Sequence, residues 1–111
     1  MSSVTNVILT IPLYNDKEKL KIVKKINSFF EEEKGFVLVD NENLPIGWYG
    51  GTKMLEAEIL IGAFNYLNIE ELIKHLRSID WKDDHTTPQL MFQGQDDNCF
   101  TMIDLIEAKK T

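Results

Sequence analysis

Cysteine is nearly absent from this chain: Cys99 is the single one in 111 residues. One thiol cannot close an intrachain disulfide, so the fold must hold by burial, and a reducing compartment is expected, with cytoplasm the natural choice. Histidine is as scarce, with only His75 and His85. A structural zinc site takes four Cys or His ligands, so no metal centre is expected, and no cofactor signature stands in its place. No apolar run approaches the roughly 20 residues of a membrane-spanning helix. The opening stretch MSSVTNVILTIPLYND lacks a basic start, and Thr10 and Pro12 break its apolar run, so no signal peptide is expected. Glycine is sparse too. Its one cluster, Gly47-Trp48-Tyr49-Gly50-Gly51, has neither the GxxxxGKS spacing nor a helix after it, and no GxGxxG occurs, which excludes both phosphate-binding signatures.

What is present suits one soluble α+β domain over residues 1–111, with 106–111 as a loose tail. Hydrophobic residues make up 43% and charged residues 27%, enough apolar surface for a core without metal or disulfide. The net charge is −6, unevenly spread. Residues 16–34 carry six lysines against five acidic side chains, a balance near +1, so the rest of the chain is near −7. That acidity argues against binding a nucleic-acid backbone and suits a basic protein partner.

The chain is organised around residues 55–64, LEAEILIGAF, which alternate as a strand does. Leu55, Ala57, Ile59, Ile61 and Ala63 share one side and are uniformly apolar, so this side is expected to lie under helices. Glu56, Glu58, Leu60, Gly62 and Phe64 take the other, partly exposed side. On that assignment Ile61→Asp buries an unpaired charge and should prevent folding. Residues 6–14 form a first strand, with Pro12 near its end because proline donates no ladder hydrogen bond. Asn15 and Glu18 form a capping box, and Leu20, Ile22, Val23, Ile26, Phe29 and Phe30 follow at helical spacing, predicting a helix over 16–33 stopped by Gly35. Residues 35–40 read as a short strand and 41–54 as an irregular connection. A second helix starts at Asn68, with Glu71 as box partner and Leu67 and Leu72 as a hydrophobic staple. Strands over 89–94 and 99–106 are joined by a turn through Gln95, Asp96, Asp97 and Asn98.

The resulting order is β-α-β-β-α-β-β. Its first six elements resemble the split βαβ of ferredoxin-like domains. The resemblance, with right-handed crossovers, implies an antiparallel sheet of order 2-3-1-4-5 with both helices on one face.

Few residues of the chain stand in a pattern that chemistry requires. Asp83, Asp84 and His85 lie together but read as a solvated loop. Asp96-Asp97-Asn98 lacks the spaced ligands of a calcium loop. Cys99 has no base beside it in sequence and reads as an inert packing residue. Glu56 and Glu58 share a strand side and would do acid–base work only if desolvated; a solvated pair is the plainer reading. Surface apolarity is the more informative signal, because a single sheet covered on one face leaves the other wanting cover. Ile8, Tyr14, Leu60, Phe64, Leu90 or Met91, and Phe100 or Met102 are candidates for that bare face. Trp48, Tyr49 and Trp81 are candidate anchors, with packing on their own core as the alternative for Trp48 and Trp81. The function expected is a small acidic, non-catalytic protein-binding module of inhibitor or immunity type that neutralises a basic partner. Trp48, Tyr49, Glu56, Glu58, Asp83 and Asp84 are its candidate contact residues. The alternative is a homodimeric small-ligand-binding regulatory domain. A small enzyme using Glu56, Glu58, His75 or His85 ranks third.

Overall fold

A computed structural model describes residues 3–12, 14–31, 34–39, 57–81 and 87–106. Alternation builds β1 (Val4–Pro12), β2 (Val37–Leu38), β3 (Ala57–Asn65), β4 (Gln89–Gln93) and β5 (Thr101–Asp104). They form one antiparallel sheet in the order β2-β3-β1-β4-β5, as expected. The nine-residue strands β1 and β3 are two of its three inner strands, and Pro12 closes β1, where its missing N–H costs nothing to the ladder.

Two amphipathic helices, α1 (Asp16–Asn27) and α2 (Ile69–Arg77), connect these strands. Both begin on the expected caps. The Asn15 side chain accepts the Glu18 N–H at 2.8 Å, and that of Asn68 accepts the Glu71 N–H at 3.2 Å. Each satisfies a donor that a helix start leaves open. Buried Ile22 and Ile26 from α1 and Leu72 and Leu76 from α2 face the sheet. His75 Nε2 lies 2.8 Å from the Lys25 carbonyl, tying α2 to the end of α1, so both helices lie on one face.

Helix α1 stops at Asn27 rather than continuing to residue 33. The Asn27 side chain turns onto the next strand instead. It accepts the Phe36 N–H at 2.8 Å and donates to the Phe36 carbonyl at 3.1 Å, pairing as a strand neighbour would. Phe30 then leaves the helical path and stacks on Phe64, ring centroids 4.3 Å apart, with Phe36 edge-on to both rings at 5.8 Å. Gly35, at φ +135°, makes the return; a Cβ there would lie 2.6 Å from Asn27 Oδ1.

The core lies between sheet and helices. One cross-sheet row, Leu38, Leu60, Leu9, Leu90 and Ile103, follows from the register and carries its centre. Val7, Ile11 and Phe36 flank it. Trp81 closes the end of α2: it is 4% exposed, and its indole N–H donates to the Leu76 carbonyl at 2.9 Å. Of the two readings of Trp81, packing on its own core is therefore the observed one.

The side assignment of β3 is the main correction to the sequence reading. Leu60 is fully buried, whereas Ile61 is 44% exposed. The mixed set Glu58, Leu60, Gly62 and Phe64 faces the helices, and the uniformly apolar set Ala57, Ile59, Ile61 and Ala63 faces away. Pairing decides this. Leu60 sits opposite Leu9, whose side of β1 is buried, and a one-residue slip would exchange the faces. Phe64 gains its place because Gly62 has no side chain: a Cβ on Gly62 would lie 2.6 Å from Phe64 Cζ.

Candidate functional site

The outer face of the sheet is the feature that needs an explanation. The register aligns Val37, Ile61, Ile8, Met91 and Met102 in one row, one residue from each strand. Val37 is 65% exposed and Met102 58%. Ile8 and Met91 are half-buried. Val39, whose N–H donates to Ile59 O at 2.7 Å, and Ile59 extend the apolar patch toward the C-terminal end of β1. Among the described residues nothing packs over this row. Apolar surface contiguous across five strands is what a monomer normally keeps covered.

The polar side chains around the row are already bonded to one another. Asn6 Nδ2 donates to Gln93 Oε1 at 3.3 Å, and Gln89 Nε2 donates to Asp104 Oδ1 at 2.8 Å. Thr10 Oγ1 donates to the Gln89 carbonyl at 3.4 Å. Covering the face would strand few of their hydrogen-bonding groups. Asp104 is the one charged side chain that the described strands place on this face.

Of the residues expected on the bare face, Ile8, Met91 and Met102 are there. Leu60, Phe64 and Leu90 pack toward the helices instead. Tyr14 packs against the core and donates its hydroxyl to the Trp81 carbonyl at 2.8 Å. Ile59, Ile61 and Val37 were missed. The signal that could have found them is the antiparallel pairing of β3 with the strongly apolar Val7, Leu9 and Ile11 side of β1.

Among the named contact residues, Trp48, Tyr49, Glu56, Asp83 and Asp84 lie outside the described residues, as does His85. Glu58 does not stand on a solvated face. It lies under α1, 7% exposed, with Lys19 Nζ 3.6 Å from its carboxylate. The lysine reaches over the end of the sheet from the first turns of α1 and compensates a carboxylate that burial would otherwise penalise. His75 is taken up by the Lys25 carbonyl and lies 5.5 Å from the Phe29 ring centroid. Cys99 is exposed before β5, so the packing role expected for it is not observed. Asp97 makes the expected turn: its carboxylate accepts the Gly94 N–H at 2.8 Å. No group of three or more His, Cys, Asp or Glu among the described residues is placed to hold a metal ion. No described helix is long and apolar enough to cross a membrane.

A shallow cleft of about 450 Å³ lies between the end of α1 and β2, lined by Lys24, Asn27, Phe30, Glu31, Lys34 and Phe36 among others. Its charges partly compensate each other, with Lys34 Nζ 3.6 Å from Glu31 Oε2. No family model matches this chain, and no curated protein or solved structure matches it either.

Proposed function

We propose that this protein is a small non-catalytic protein-binding module that docks through the outer face of its sheet. The observation that carries this reading is the row of five apolar side chains spanning all five strands. The partner that fits such a face presents a complementary apolar, uncharged surface. Commitment of Glu58 to Lys19 and of His75 to the Lys25 carbonyl supports binding over acid–base chemistry.

The net charge of −6 favours a second form of the same reading, an inhibitor or immunity-type protein for a basic partner. Charge steering by the acidic surface would then speed encounter, and added salt would slow it. A homodimeric ligand-binding domain is the alternative, and the cleft beside β2 is the described cavity that favours it.

The test is a paired capture from the native host, with the wild-type protein and the Ile61→Asp variant as baits. The proposal expects a protein held by the wild type and released by a variant that still folds. Equal capture by both baits would refute the assignment of the face.

A further inference from the structure

We infer that the occupant of the outer face is a second copy of this chain, packed face to face about a two-fold axis running along β1. This rests on the docking reading above and names its partner. Strand β1 is the middle strand of the five. A two-fold axis along it lays β2 over β5 of the second copy, β3 over β4, and β1 over itself. The apolar row then complements itself. Val37 and Ile61, short and β-branched, meet Met102 and Met91, long and flexible, while Ile8 meets its own mate. Short against long is how two sheet faces interdigitate at about 10 Å separation.

Charge points to the same occupant, and size allows it. The described strands place only Asp104 on this face, at its edge strand, so neither a basic nor an acidic surface is matched there, whereas an identical neutral face is. The strands β1 to β5 hold 9, 2, 9, 5 and 4 residues, and at about 3.3 Å rise and 4.8 Å spacing they outline roughly 460 Å². That outline is over half of the roughly 800 Å² per partner of a standard specific interface and belongs with the smaller interfaces. The lateral pairs Asn6–Gln93 and Gln89–Asp104 let the polar flanks enter such an interface already bonded.

The experiment is sedimentation equilibrium of the full chain, the Ile61→Asp variant and, as a second disruption at a more exposed position, Met102→Lys. Circular dichroism checks the fold of each. The wild type should be a dimer, and each folded variant should raise the dissociation constant by on the order of a hundredfold or more. Because each copy carries a net charge of −6, salt should tighten the dimer, the opposite of its effect on a basic partner. A dimer that persists in both variants, or that salt loosens, overturns the inference. A monomeric wild type also overturns it, and thiol labelling then decides the fate of the docking reading. In a Met102→Cys variant lacking Cys99, rapid labelling leaves an open face for a different partner. A protected thiol shows that the chain covers the face itself and ends both.

Discussion

Leu60 and Ile61 are chain neighbours at the centre of the same strand, nearly equal in size and apolarity, yet one is fully buried and the other 44% exposed. The difference teaches that hydrophobicity alone does not place a residue in the core. The helix side of the sheet is built as an interior: branched side chains in a cross-sheet row, three phenylalanine rings in mutual contact, and one carboxylate neutralised by a lysine. The outer side carries a comparable apolar row with no cover among the described residues. A fold that needed only its own core would have polar residues at Val37, Ile61 and Met102.

The contrast can be broken first at its strongest point. Leu60→Ala should lose about 3–5 kcal/mol by urea unfolding, from lost burial and the cavity left under the helices. Ile61→Ala, monitored in dilute protein, should lose about 1 kcal/mol or less, because a half-exposed strand site forfeits little burial. Equal losses would dissolve the distinction between the two sides.

Next in size is the ion pair of buried Glu58 with the partly exposed Lys19. Lys19→Met should cost about 2–3 kcal/mol, since it leaves Glu58 sheltered from water without its cation. The paired replacement Lys19→Met with Glu58→Leu should recover most of that loss, and a double variant no better than the single would assign Lys19 a packing role. Asn27→Ala removes two hydrogen bonds to Phe36 and should cost about 1–3 kcal/mol, seen in thermal unfolding as a lowered midpoint. Smallest is the cap of α2: Asn68→Ala should cost about 1 kcal/mol, with Asn68→Ser near neutral.

Much of the architecture was legible in the chain because its signals are local. Alternation marked the strands, Asn15 with Glu18 and Asn68 with Glu71 marked the helix starts, and the element order implied the sheet order that is observed. What misled was long-range. Both sides of residues 57–64 are mostly apolar, and only pairing with Leu9, some fifty positions away, selects Leu60 for the interior. Because the two sides were exchanged, Ile61→Asp was expected to prevent folding; with Ile61 half exposed, the same change should leave the fold standing. The early end of α1 was hidden for a related reason. Phe29 and Phe30 continue the helical spacing, but Asn27 finds its partner in Phe36 only after the chain has turned at Gly35. Of the candidate contact residues only Glu58 falls within the described residues, and its role there is internal. The outer face became visible only when five strands were aligned, since each strand carries a single residue of its central row.

The most direct measurement is the urea unfolding of Leu60→Asp and Ile61→Asp side by side in dilute protein. The account predicts no cooperative transition for Leu60→Asp, and for Ile61→Asp a cooperative one within about 1 kcal/mol of the wild type. A cooperative Leu60→Asp with an unfolded Ile61→Asp would turn the sheet over and contradict the account.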